Sequence, residues 1–119
     1  MLPHRRFRYF LFGLYFFHVL HVLEEFWGDF RAIGIMGREI FLGINAILLA
    51  IPLLIIIYAL ENDRTALILV RIYAIIMILN GLGHGAATLI SGRYFGFAAG
   101  AVSGLGLIVF GVLTLKESK

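Results

Sequence analysis

The stretch HVLHVLEEFW, residues 18–27, places His18, His21, Glu24 and Glu25 at the end of an apolar run. On a helix, His18, His21 and Glu25 fall at i, i+3 and i+7, along one stripe, and Glu24 follows His21 at i+3. Asn80 and His84 share a face at i, i+4 in another apolar run, and Asn45 stands in a third. Imidazole and carboxylate together support two kinds of chemistry. They ligate zinc, iron or manganese, and they exchange protons as general acid and base. The candidate metal ligands are His18, His21, Glu25 and His84, with Glu24 or Glu25 left as a base and Asn45 or Asn80 as an outer donor. The candidate catalytic residues are His21, Glu24, Glu25, Asn80 and His84. A di-iron centre of the bundle type needs Glu-x-x-His on each of two helices. Only one segment here offers acids, which argues against it.

The elements that must position these groups are membrane helices. Of the 119 residues, 61% are apolar and only 14% charged, against about 25% charged in soluble domains. Four runs are long enough to cross a bilayer, which takes roughly 17–25 apolar residues. They are residues 7–27, 39–60, 65–91 and 94–115. Lipid offers no partner to free backbone groups, so each run is expected to be a helix. Short connections make neighbours antiparallel, and the expected fold is an all-α, four-span antiparallel bundle forming a single domain. The net charge of +3 comes mostly from Arg5, Arg6 and Arg8, and no basic face suited to nucleic acid extends beyond them. No small-residue cleavage pattern follows the first apolar run, so it reads as a retained span rather than a signal peptide. With no cysteine, thiolate catalysis and Cys-ligated metal sites are excluded.

Basic residues set the expected orientation. Arg5, Arg6, Arg8, Arg64, Lys116 and Lys119 fall on one side, and Arg31, Arg38 and Arg93 on the other, which puts both termini in the cytoplasm of a plasma (inner) membrane protein. On that arrangement His21 lies six residues inside Trp27, Asn45 six inside Glu39, and His84 seven inside Ser91. At about 1.5 Å per residue, polar groups from three helices share one layer in the outer half. Gly96, Gly100 and Gly104, with Gly81 and Gly85, form small-residue stripes that fit dimerisation or packing of the third span on the fourth, and the short SGR turn between those spans favours the second. Pro52 is expected to bend the second span. Arg71 is expected to reach the cytoplasmic interface, towards Asp63 or Glu61.

The motif His21-Val-Leu-Glu24-Glu25 matches H-x-x-E-E, and Asn80-Gly-Leu-Gly-His84 matches N-x-x-x-H. In this order, on the first and third spans, they resemble the HXXEE family of small integral membrane proteins of unassigned activity. The resemblance covers most of the chain and implies that His21, Glu24, Glu25, Asn80 and His84 are the functional positions. Such proteins also tend to carry Pro-Gly-x-x-Thr after the third span. Here residues 94–99 read YFGFAA, keeping the glycine without the proline or threonine.

Two readings of function follow. The first is a membrane-embedded enzyme, metal-assisted (with a divalent metal such as zinc) or acid–base, acting on a small amphiphile. The alternative is an accessory or structural subunit of a larger membrane complex, or a homo-oligomer, whose polar layer serves packing or ligates a bound cofactor. Transport is weaker, since no inverted repeat is visible.

Overall fold

A computed structural model describes residues 4–28, 31–92 and 100–119. Its helices are α1 (Arg5–Trp27), α2 (Arg31–Met36), α3 (Arg38–Leu60), α4 (Arg64–Ser91) and α5 (Ala101–Glu117). No strand occurs among the described residues. Helices α1, α3 and α4 are each long and apolar enough to cross a membrane. The molecule extends 46 Å along its long axis, close to the 40–45 Å of a bilayer with its headgroups. Large apolar side chains cover the outside, among them Ile47, Leu54, Ile76, Leu79 and Leu105. In water such a surface would be a liability. In lipid it is the solvent-matched face.

Three features depart from the sequence expectation. The segment between the first two long helices contains a short helix, α2, where a loop was expected. The expected fourth span, 94–115, is shifted. Gly100, with φ +110°, is the N-cap, and α5 runs from Ala101 to Glu117. Residues 94–99, including Gly96 and the YFGFAA segment, lie outside the described residues. Arg71 also does not reach Asp63 or Glu61. Its guanidinium donates to the carbonyl of Ser118, through Nε at 3.1 Å and through Nη2. A cation thus meets the carbonyl end of α5, where the helix dipole favours positive charge. Asp63 instead caps α4, accepting from the Ala66 N–H at 2.7 Å.

The tightest packing is α4 on α5, with α1 packed on α5. Gly81 and Gly104 bring two backbones together: a Cβ on Gly81 would lie 2.3 Å from the Gly104 carbonyl oxygen. Lower down, a Cβ on Gly111 would lie 2.6 Å from Ile78 Cγ1. This is the packing within one chain expected from the small-residue stripes, since close backbones gain dispersion contact where lipid supplies no hydrophobic drive. Gly85, by contrast, faces open space. Leu14, Tyr73, Ala74, Met77 and Leu107 fill the core between α1, α4 and α5.

Helix α3 is held mainly at its lower end. Ile56 and Ala59 join Phe7, Leu11, Ala66 and Val70 in a second buried cluster. Pro52 lies within α3 and is buried. It has no N–H, so the α3 ladder is interrupted at this turn. The Tyr15 hydroxyl of α1 donates to the Leu49 carbonyl at 3.1 Å, the kind of neighbour contact that makes a proline tolerable inside a membrane helix.

The glycine contacts generate the first prediction. Gly81→Ala drives a methyl into a backbone atom that has nowhere to go and is expected to destabilise the protein by about 1–3 kcal/mol. Gly85→Ala meets nothing and should be neutral or slightly stabilising through helix propensity. Thermal unfolding of both variants in one detergent checks this; equal midpoints would disprove the close α4–α5 contact.

Candidate functional site

The stripe on α1 is buried as its spacing demands. His21 is 1% exposed, His18 5% and Glu25 7%. His84, on α4, is 8% exposed and its ring meets that of His21 edge to face at 4.5 Å. One carboxylate oxygen joins the two rings. Glu25 Oε1 is 2.8 Å from His21 Nε2 and 3.1 Å from His84 Nε2. The sequence layer is therefore a real cluster at its centre: His21, Glu25 and His84 come together across two helices.

Helix α5 completes the setting of His21. Its Nδ1 lies 3.0 Å from the Gly100 carbonyl oxygen and 2.9 Å from Ser103 Oγ, while Ser103 Oγ itself donates to the Gly100 carbonyl at 3.2 Å. A carbonyl only accepts. One assignment satisfies all three contacts: His21 carries its proton on Nδ1 and shares it between the two oxygens. In neutral His21, Nε2 then presents a lone pair to the Glu25 carboxylate. Two electron-rich atoms 2.8 Å apart need a positive centre near both. Yet His21 Nε2 is buried without a hydrogen bond of directed geometry. A proton or a cation bridging this trio is what the arrangement calls for.

The trio fits a metal. Its three ligand atoms lie within 4.8 Å of one another. Ligands on one tetrahedral zinc, at about 2.0–2.1 Å from the ion, are about 3.3 Å apart, close to the two Glu25 contacts. The carbonyl held by His21 Nδ1 is the usual outer partner of a ligating imidazole, fixing tautomer and ring orientation. Gly100 is needed for this closeness. A Cβ there would lie 2.6 Å from His21 Cε1, and its φ of +110° is rarely adopted by other residues.

The two adjacent glutamates separate. Glu24 turns towards α5, accepting from the backbone N–H of Val102 at 3.1 Å and of Ser103 at 2.7 Å. Gly100, the N-cap, has no side chain to do this, so a carboxylate from another helix caps α5 and meets the positive end of its dipole. Glu24 is thereby placed as a clamp rather than as a base beside the trio. His18 is also set apart from the three-ligand group: its Nδ1 pairs with the Tyr73 hydroxyl at 2.9 Å. Asn45 donates to the Phe41 carbonyl of its own helix at 2.9 Å. Asn45 and Asn80 nonetheless line the same cavity as His18, His21 and Glu25, about 350 Å³ between α1, α3 and α4. Sequence reasoning missed Tyr73, Gly100 and Ser103 as partners. One signal existed for Ser103, the sole polar side chain between residues 95 and 113.

Comparison with protein-family models, curated proteins and solved structures gives no match.

The clamp generates the second prediction. Glu24→Ala leaves two α5 N–H groups without their acceptor and should cost about 1–2 kcal/mol of stability. Glu24→Gln, which retains one acceptor oxygen, should lose less. Thermal unfolding ranks the three chains, and an alanine variant as stable as the native protein would refute the clamp.

Proposed function

We propose that this chain is a membrane-embedded enzyme whose centre is His21, Glu25 and His84 holding a divalent metal of the zinc type. The observation that carries the reading is the one Glu25 oxygen set against Nε2 of two imidazoles from different helices, all three side chains buried. Such a grouping is costly in a bilayer, and ionisable groups kept there mark functional sites. When bound, the ion supplies Lewis-acid polarisation of an oxygen on the substrate. The chain's own residues do the rest. Gly100 and Ser103 hold the His21 ring, Glu24 holds α5 against α1, and Asn45 and Asn80 offer amide donors and acceptors in the adjoining cavity. The HXXEE resemblance adds support, since its motif positions supply all three ligands. The orientation with both termini cytoplasmic belongs to this proposal and rests on the Lys and Arg distribution. So does α5 as the fourth member crossing beside α1 and α4.

The third prediction tests the centre directly. Elemental analysis of the detergent-purified protein, grown metal-replete and handled without chelator, should find about one zinc-type ion per chain. His21→Ala/His84→Ala should lose it, whereas Glu24→Ala should keep it. Absence of metal from the native chain would refute the metal centre.

A further inference from the structure

The cavity beside the trio has a shape of its own. Its floor is α1, where His18, Val22 and Glu25 are buried or nearly so. One wall is a single face of α3, from Asn45 through Leu48 and Ile51 to Ile55. The other is a single face of α4, from Asn80 through Ile76 and Ile72 to Leu69. Burial locates the mouth. Tyr73 and Met77 are buried, while Leu48, Ile51, Ile72 and Ile76 are about half exposed. The groove therefore opens between α3 and α4, on the face these apolar helices turn to lipid.

The groove is polar at one end only. Glu25, Asn45 and Asn80 are the end members of the lining stretches of α1, α3 and α4, and beyond His18 and Tyr73 the walls are aliphatic. From Asn45 to Ile55, ten residues of helix, it runs roughly 15 Å. A volume of about 350 Å³ is at the lower end for small-molecule sites. That admits one hydrocarbon chain, and it is far too narrow for a helix of about 10–12 Å diameter. Among the described residues no Lys or Arg lines it, so they offer a phosphate or sulfate headgroup no counter-charge. The amides of Asn45 and Asn80 suit a head that both donates and accepts hydrogen bonds.

We infer that the groove takes a single-chain neutral amphiphile, a long-chain alcohol, which enters sideways from the bilayer between α3 and α4. Its oxygen lies at Glu25, Asn45 and Asn80, and its chain runs along α3 and α4 towards Ile55 and Leu69. As the substrate of the His21–Glu25–His84 centre, this occupant rests on the function proposed above. As a ligand of the groove, it is tested separately.

The test uses the full chain in phosphatidylcholine nanodiscs and a dodecanol carrying a photoactivatable diazirine on its chain. Adducts mapped by peptide mass spectrometry are expected on the rim residues Leu48, Ile51, Ile72 and Ile76, and unlabelled dodecanol should compete them away. Ile51→Trp/Ile72→Trp, which fills the mouth with residues outside the centre, should lower rim labelling by about ten-fold, the effect of losing burial for about two methylenes. The His21→Ala/His84→Ala chain should lose its metal yet keep rim labelling. A native chain without metal that still labels at the rim would therefore remove the centre and leave the groove standing. Adducts spread evenly over lipid-facing positions such as Leu105 and Val109 would overturn the inference. So would rim labelling that excess phosphatidylcholine suppresses as well as dodecanol does.

Discussion

A carboxylate held against two imidazoles, away from water, is the interaction on which this structure depends. Glu25 is nearly buried in an apolar molecule, and a charge there is tolerated only with partners in place. His21 comes from the same helix one turn earlier, so half of the arrangement is local. His84 comes from α4, and the carbonyl that orients His21 comes from the start of α5. Three helices must therefore meet at one level within a fraction of an ångström.

Glycine makes that meeting possible. Gly81 and Gly104 let α4 and α5 touch through their backbones. One turn above Gly104, Gly100 leaves room for both imidazole rings in a conformation that side chains disfavour. Glu24 then ties the start of α5 to α1. Two neighbouring glutamates thus serve opposite needs. One neutralises positive partial charge at a helix end, and the other faces the histidines. Glu24 meets its positive counterpart in the α5 dipole, and Glu25 meets one only with a proton or a cation between it and the imidazoles, which is what a low-dielectric interior requires.

Helix α3 belongs to the fold in a different way. It shares a tight cluster with α1 and α4 at its lower end, around Ile56 and Ala59. From Ile55 up to Asn45 one face of it lines the groove. The tight trio of α1, α4 and α5 thus carries the polar centre, and the less closely packed helix supplies the wall through which a guest would pass. Precision sits where packing is dense, and access sits where it is not.

Much of this was legible in the sequence for simple reasons. Apolar runs of the right length fixed three long helices, because lipid leaves the backbone no other partner. The i, i+3, i+7 spacing of His18, His21 and Glu25 determined that they share a face, and depth counting placed His84 near their level. The glycine stripes announced that α4 would pack on α5. What the sequence left open was direction and contact across helices. Whether Glu24 or Glu25 faces the histidines depends on where α5 begins, and that start is set by the Gly100 conformation and by residues nearly eighty positions away. The pairing of Arg71 with the end of α5, rather than with nearby Asp63 or Glu61, likewise follows from which helix lies alongside. Tertiary structure alone decided these points, because spacing along one helix fixes only the angle of a side chain, while its partner is chosen by the packing of another helix against it.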